Sequence, residues 1–330
     1  MSLIWLSRED VQKSGGGDAV AAVPVLERAL SVHGEGQTCQ PLKPYLRIPN
    51  DELERRIIAM PSYLGNEFQT WGMKWIASCP RNPTERGMER ASAVIILNDL
   101  ETGRPVAMMD AGLISAVRTA AVALIGAKYC ARPDSKTLGL IGSGMIGGMI
   151  ATNLLKTNPS LERVRIFDHY PEAAKRLIEQ IEKQSDVKCE VVESPKDAMD
   201  RADIVVAATT AQDGYIDGEW MHEGSVFLNI SLRDAKFSVI ERADKLIVDD
   251  WEQANRGTTP IFKMTQAGRL SREDLYAELP EIISGRLPGR ERDDEIIVVN
   301  PMGLAIEDIA VAHRVYETAK MKNLGVQLPY

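Results

Sequence analysis

The sequence predicts an α/β protein that combines a Rossmann-type doubly wound parallel sheet with a smaller α+β domain. A buried strand, a glycine turn and the start of a helix follow one another over 137–147. From about residue 114, apolar strand segments alternate with helical ones, the order typical of a parallel sheet. Before that point, short strands alternate with turns. We therefore expect one domain over 1–113, completed by about 306–330, and a second over 114–305.

Two capped helices and an antiparallel sheet are predicted for the first domain. Ser7 has the residue type of an N-cap and is followed by acids, and Asp18 precedes a second helical pattern. Asn, Asp and Gly within 98–103 indicate a hairpin turn. The strand segments of this domain are 56–60, 70–76, 93–98 and 105–109.

The second domain is predicted to begin with a helix through 118–129. Its apolar strand segments lie around Leu138 and at 164–168, 204–208, 225–230 and 245–249. A last helix, 306–322, is expected to return to the first domain.

The glycine turn predicts a dinucleotide pocket. Gly142 allows a sharp turn off the strand, Gly144 lets backbone N–H groups approach a diphosphate, and Gly147 lets the helix pack closely on the sheet. Met145 and Ile146 complete the loop at the positive end of the helix, where the diphosphate is expected to bind. A glycine turn alone also occurs in ordinary α/β proteins, so its neighbours matter.

Asp168 strengthens the dinucleotide interpretation. It closes the second strand 21 residues after Gly147, near the spacing at which an acid accepts hydrogen bonds from the adenosine ribose. His169 and Tyr170 follow it, and no arginine is at hand for a 2′-phosphate. NAD is therefore favoured over NADP as the cofactor.

Composition excludes several classes of protein. The net charge of −8 argues against nucleic acid or an anionic membrane as a general partner. The first ten residues lack the pattern of a secretory signal. The four cysteines are far apart and form no metal-ligand spacing with histidine. We expect a cytoplasmic protein with no structural metal.

Four cations precede or open the second domain: Lys43, Arg47, Lys74 and Arg118. Lys74 and Arg118 stand among apolar residues, where a charge needs an anion. That anion is either a structural Asp or Glu or a group of an anionic substrate. Arg118 could also contact the cofactor diphosphate, because its planar fork suits phosphate as well as carboxylate.

Asp234 follows a strand at the carboxyl edge of the predicted sheet, where open α/β proteins bind ligands. A carboxylate there can accept a proton or activate water. The structural alternative is a helix N-cap or turn residue.

The chain resembles the ornithine cyclodeaminase/mu-crystallin family over almost its whole length. The matching segments are 73–75, 118–121, 142–147, 229–234 and 303–308. A further set is similar to a branch of this family that oxidises an amino-acid conjugate with NAD: 40–47, 88–92, 248–251 and 300–303.

The resemblance implies roles for the candidate residues. Arg47, Lys74 and Arg118 would hold substrate carboxylates, with Lys43 as a further cation. Arg118 and Ser92 would approach NAD. Asp234 would handle the amine and water chemistry, and Lys74 is the other candidate proton acceptor if neighbouring charges lower its proton affinity.

The activity implied is oxidative hydrolysis of N-(2-amino-2-carboxyethyl)-L-glutamate to 2-oxoglutarate and L-2,3-diaminopropionate, which supplies siderophore or peptide antibiotic biosynthesis. The implied partners are a second copy, bound through the sheet of the first domain, and an upstream pyridoxal-phosphate-dependent synthase. The alternatives are an ornithine cyclodeaminase, an imine-reducing amino-acid dehydrogenase and a ligand-binding protein of the mu-crystallin type. Ile58 stands where ornithine-specific relatives carry an acid, which disfavours ornithine.

Overall fold

The structure is a computed structural model that describes residues 2–51 and 55–329. The chain divides into two compact units. Unit 1 comprises Met1–Arg118 and Leu304–Tyr330, and unit 2 comprises Thr119–Gly303.

The strands of the described residues are, in chain order, β1 (Ser2–Leu6), β2 (Thr38–Cys39), β3 (Tyr45–Arg47), β4 (Arg56–Leu64), β5 (Thr70–Ser78), β6 (Ala91–Asn98), β7 (Pro105–Asp110), β8 (Thr137–Ile141), β9 (Arg163–Phe167), β10 (Lys188–Val191), β11 (Ile204–Ala207), β12 (Val226–Asn229), β13 (Lys245–Val248), β14 (Ala277–Glu278), β15 (Ile297–Val299) and β16 (Val326–Pro329).

The helices are α1 (Arg8–Lys13), α2 (Ala19–Gly34), α3 (Asn82–Arg86), α4 (Gly112–Cys130), α5 (Met145–Thr157), α6 (Pro171–Glu182), α7 (Pro195–Met199), α8 (Phe237–Glu241), α9 (Trp251–Ala254), α10 (Pro260–Gln266), α11 (Leu279–Ile283) and α12 (Ala305–Met321). Short 3₁₀ turns occur at Gly218–Trp220 and Arg272–Asp274.

Unit 1 is built on a largely antiparallel sheet, as the sequence predicts. Its strand order is β16-β1-β7-β6-β5-β4-β2, with β3 on β4, and β1 pairs in parallel with β7. Helix α12 packs against β4, β5, β6 and α2. Because side chains alternate along a strand, β5 has a buried face that carries Lys74 and an opposite face that carries Trp71 and Trp75.

Unit 2 contains the predicted doubly wound parallel sheet. Its order is β10-β9-β8-β11-β12-β15-β13-β14. Every residue of β11, β12 and β13 is buried, as expected when helices cover both faces. The chain changes direction between β8 and β11, so a crevice for a ligand forms at their carboxyl ends. The sequence did not reveal β15, which lies between β12 and β13.

Both predicted helix caps in unit 1 are confirmed. The Ser7 hydroxyl accepts from the backbone N–H of Asp10, and the Asp10 carboxylate accepts from the Ser7 N–H in return. The Asp18 carboxylate accepts from the Ala21 N–H at the start of α2. Helix α4 is long and apolar enough to cross a membrane by composition, but 67% of that stretch is buried inside the protein, as in a core helix.

Gly147 is expected to be far less tolerant of a side chain than Gly148. A Cβ at Gly147 would lie well inside contact distance of the Gly142 carbonyl oxygen, which is backbone, whereas one at Gly148 would meet the movable Leu177 side chain at 3.3 Å. Gly147→Ala should therefore destabilise by roughly 1–3 kcal/mol, measured by urea unfolding. Gly148→Ala is the control, with little loss because alanine favours helix. Equal effects of the two would contradict this account.

Candidate active site

The glycine loop joins β8 to α5 as predicted. Gly142 has φ +92°, and a Cβ there would lie 2.6 Å from the Ala208 carbonyl oxygen. Gly144 precedes α5, and a Cβ on it would meet no atom within 4 Å. No side chain caps this helix start. The N–H groups of the first turn, which include Met145 and Ile146, are thus left to bind an anion.

Asp168 lies directly after β9 and contacts the glycine loop. Its Oδ2 accepts from the backbone N–H and the hydroxyl of Ser143, both at 2.7 Å. Its Oδ1 accepts from the Tyr170 N–H at 2.9 Å. A carboxylate oxygen can accept more than one hydrogen bond, so Oδ1 retains capacity for a ribose hydroxyl.

Asp234 is fully buried in unit 2, and hydroxyl groups surround it. Its Oδ1 accepts from Thr209 and from the Tyr215 hydroxyl, the latter at 2.8 Å, and its Oδ2 accepts from Ser231. Burial, reinforced by the charge of Asp234, raises the pKa of Tyr215, so its phenol stays protonated and donates. The three hydroxyls therefore fix the orientation of this carboxylate by donating to both of its oxygens.

The turn that presents Asp234 is held by a pair of buried amides. Leu232 has φ +70°, a left-handed conformation that is costly for a side chain of this size. The Asn229 Nδ2 donates to the Leu232 carbonyl at 3.3 Å and to the Asn300 Oδ1 at 2.6 Å. These two asparagines belong to segments that the sequence singled out, but their positioning role was not foreseen.

A second buried acid fixes the loop that follows β15. The Asp249 carboxylate accepts from the backbone N–H groups of Met302 and Gly303, at 2.9 and 2.6 Å. It is fully buried. Asp249 therefore shapes the connection that leads into α12.

Lys74 is the central charged residue of unit 1. It lies on β5 with 1% of its side chain exposed, and its Nζ donates to the Asp308 Oδ2 at 2.6 Å and to the Ser115 hydroxyl at 3.2 Å. Burial lowers the pKa of Lys74 to about 7; Asp308 opposes this shift, while the charges of Arg118 and Lys43 reinforce it. A substantial fraction of Lys74 is consequently a neutral amine near neutral pH.

Arg118, on α4, shares the same acids. Its Nε donates to the Asp308 Oδ1 and its Nη1 to the Glu307 Oε2, both at 3.1 Å. Burial opposes the charge, but the two acids outweigh it and raise the pKa of Arg118. Its Nη2 makes no hydrogen bond to any residue that the structure describes, so it can donate to a further carboxylate.

The sequence left open whether the anion beside Lys74 and Arg118 is a structural acid or a substrate group. In the structure, Asp308 and Glu307 occupy this position, and both are fully buried on α12. For Lys74 and Arg118 the compensating anion is provided by the chain itself. Both acids lie within the matching segment 303–308, but no sequence pattern assigned them a role.

The other candidates of unit 1 lie on two strands and one loop. Lys43 is buried and near enough to Lys74 to affect its charge. Arg47 is exposed on β3, with its guanidinium 5.4 Å from the centre of the Tyr45 ring. Ser92 lies on β6, where it pairs with Ala77 of β5. It is therefore on the face of the sheet opposite to Lys74. Its contact with NAD stays a prediction.

The chain is similar to known proteins both in sequence and in fold. The model of the ornithine cyclodeaminase/mu-crystallin family matches residues 6–323. The chain is 42% identical over 329 residues to N-((2S)-2-amino-2-carboxyethyl)-L-glutamate dehydrogenase of Staphylococcus aureus (strain NCTC 8325 / PS 47), covering 99% of this chain and 98% of that relative.

Two solved structures share the whole fold. One is Thermococcus litoralis Δ1-pyrroline-2-carboxylate reductase in complex with NADH and L-proline, with TM-score 0.90 and 30% identity, covering 98% of this chain and 99% of that one. The other is an archaeal alanine dehydrogenase dimer with bound NAD, with TM-score 0.89 and 31% identity over all of both chains. The resemblance noted in the sequence is confirmed: the chain belongs to the ornithine cyclodeaminase/mu-crystallin family.

Proposed function

We propose that this protein is an NAD-dependent dehydrogenase that cleaves N-(2-amino-2-carboxyethyl)-L-glutamate to 2-oxoglutarate and L-2,3-diaminopropionate. The observation that carries this proposal is the 42% identity, over 99% of the chain, to a dehydrogenase named for that substrate. The buried cluster of Lys74, Arg118, Asp308 and Glu307 supports it, because this cluster combines a proton acceptor with a guanidinium donor, Nη2 of Arg118, for a substrate carboxylate.

The dinucleotide is held by unit 2 in this proposal. The first turn of α5 binds the diphosphate through its uncapped N–H groups, and Asp168 accepts from a ribose hydroxyl. Bound NAD+ supplies the acceptor for the hydride that leaves the glutamate α-carbon. These residues fit the cofactor because Gly144 offers open space where a Cβ would obstruct a phosphate.

Residues of the chain accept the proton and orient the water in this reaction. Neutral Lys74 takes the amine proton as the hydride departs, which leaves an imine on the substrate. Asp234, through Ser231, Thr209 and Tyr215, orients the water that adds to the imine carbon. The C–N bond then breaks, the nitrogen leaves with L-2,3-diaminopropionate, and the oxygen of the water becomes the carbonyl of 2-oxoglutarate.

Substrate carboxylates are assigned to unit 1. Arg118 offers its Nη2, and Lys43 and Arg47 add positive charge for a substrate with three carboxylates. When Lys74 accepts a proton, the local charge becomes more positive, which strengthens the hold on these anions. At the position of Ile58, which pairs with Tyr45 and Ile76, the chain has no carboxylate for the distal amine of ornithine.

The setting of the reaction is part of the proposal. Because the substrate is a conjugate of glutamate with a serine-derived unit, a pyridoxal-phosphate-dependent synthase would supply it. The product would serve siderophore or peptide antibiotic biosynthesis. Four free cysteines support a reducing compartment such as the cytoplasm.

Incubation with NAD+ and the amine conjugate should release NADH, 2-oxoglutarate and L-2,3-diaminopropionate in equal amounts. The products are measured by absorbance and mass spectrometry. L-ornithine and L-alanine serve as parallel substrates. Proline and ammonia from ornithine would instead indicate a cyclodeaminase, and NADH binding without turnover of any amine would indicate a ligand-binding protein.

If Lys74 is the base, kcat/KM should fall as the pH drops below about 7, because protonation removes the neutral amine. Lys74→Met should lower the rate roughly a hundredfold to ten-thousandfold. It should also abolish the fall of kcat/KM at low pH, the acid limb of the pH profile. Asp234→Asn should slow turnover but keep the limb, and both variants should bind NADH. An acid limb near pH 7 that persists in Lys74→Met would assign the proton to another group.

We also propose that unit 1 forms a homodimer through the exposed face of its sheet. Trp71 and Trp75 are 39% and 40% exposed, and the register places Met73 beside Ile96 and Ile96 beside Met108 on the same face. Apolar side chains thus lie side by side across three strands, and exposed apolar patches commonly mark interaction sites. A second copy fits because a two-fold axis pairs such a patch with itself, and the archaeal alanine dehydrogenase is a dimer.

Trp75→Asp should convert the dimer to a monomer, because two carboxylates would be buried at the interface without partners. Light scattering after gel filtration measures the mass. Met321→Asp, at an apolar side chain 76% exposed on α12, is the control and should leave the mass unchanged. A parent protein that is monomeric at all concentrations would refute the interface.

A further inference from the structure

A cavity of about 430 Å³ opens in unit 2 beside the segment that carries Asp234. Four cationic side chains line it, Arg233, Lys236, Lys263 and Arg269, against one acid, Glu241. This excess of positive charge stands out in a chain whose net charge is −8.

Two of the four cations already have anionic partners. Arg269 pairs with Glu241 and lies over the Phe237 ring, 5.1 Å from its centre. Lys236 pairs with Asp217 at 3.1 Å. These two residues form part of the wall, and their charges are compensated.

Neither of the other two cations pairs with an acid among the residues that the structure describes. Arg233 donates to the neutral side chains of Gln212 and Thr258, the latter at 2.7 Å. The Lys263 ammonium makes no hydrogen bond or ion pair to any residue within 2–51 and 55–329. Arg233 is therefore oriented by neutral groups at a cavity that Lys263 also lines, an arrangement suited to an anion between them.

We propose that this cavity binds a small polyanion, a molecule with at least two carboxylate or phosphate groups. Its volume lies in the range of small-molecule pockets. None of the side chains assigned to the reaction lines this cavity, so the proposal of anion binding does not depend on the proposed function.

The position of the cavity also gives the ligand a means to affect catalysis. Arg233 and Ala235 line it and flank Asp234 directly, and Ala235 forms a bridge with Ile216. A ligand that holds Arg233 would steady the turn in which Leu232 keeps its left-handed conformation.

The test is calorimetric titration of the protein, saturated with NADH so that the dinucleotide site is filled. Tricarballylate and inorganic pyrophosphate are the two probes, one for carboxylate and one for phosphate chemistry. At least one should bind, and its affinity should fall as salt rises. The probe that binds with the higher affinity shows whether the cavity prefers carboxylate or phosphate groups.

The double variant Arg233→Gln/Lys263→Gln should weaken binding about tenfold or more, since it removes two charge-assisted contacts. Lys263→Gln alone, at an exposed side chain that cannot affect folding much, should give a smaller loss in the same direction. Lys183→Gln, an exposed lysine elsewhere in unit 2, is the matched control and should bind normally. Absence of binding by both probes, or affinities unchanged in the double variant, would overturn the proposal.

Discussion

The buried charge network between α12 and the sheet of unit 1 is the constraint on which the candidate active site depends. Asp308 accepts from both Lys74 and Arg118, and Glu307 takes the second donor of Arg118. Buried charges are costly unless each has a partner, and removal of one partner from such a pair costs about 3–5 kcal/mol. The geometry of Lys74 is therefore fixed by the same contacts that attach α12 to the sheet.

The carboxylates of Asp308 in unit 1 and Asp234 in unit 2 differ in the groups that donate to them. Asp308 faces cations, whereas Asp234 faces three neutral hydroxyls. A carboxylate among hydroxyls is held by groups that can both donate and accept hydrogen bonds. The Asp308 carboxylate instead serves to hold the Lys74 amine and the Arg118 guanidinium in place. Chemical roles thus follow from the partners rather than from the residue type.

Local spacing allowed much of unit 2 to be predicted from the sequence. The glycine turn and Asp168 lie within about thirty residues of one another, and short-range patterns determine such a motif. The position of Asp234 after a strand was also predictable. Its donors Thr209 and Tyr215 were not, because they come from another loop. The insertion of β15 between β12 and β13 depends on long-range pairing that no local pattern encodes.

In unit 1 the sequence identified the cations but not their partners. Glu307 and Asp308 occupy the first turn of α12, where acids usually interact with the helix dipole and solvent. Only the fold reveals that this turn is buried against Lys74, which lies 234 residues earlier. The positive cavity was missed for the same reason, since its charges come from two separate segments of the chain, 233–236 and 263–269.

The discontinuous layout of unit 1 has a consequence for synthesis on the ribosome. Unit 2 is one continuous segment, whereas α12 and β16 of unit 1 emerge only after it. Until then, the early strands lack both the helix that covers them and the acids that neutralise Lys74 and Arg118. Unit 2 can therefore fold first, and the exposed sheet of unit 1 must be kept from aggregating until residues 304–330 have been synthesised.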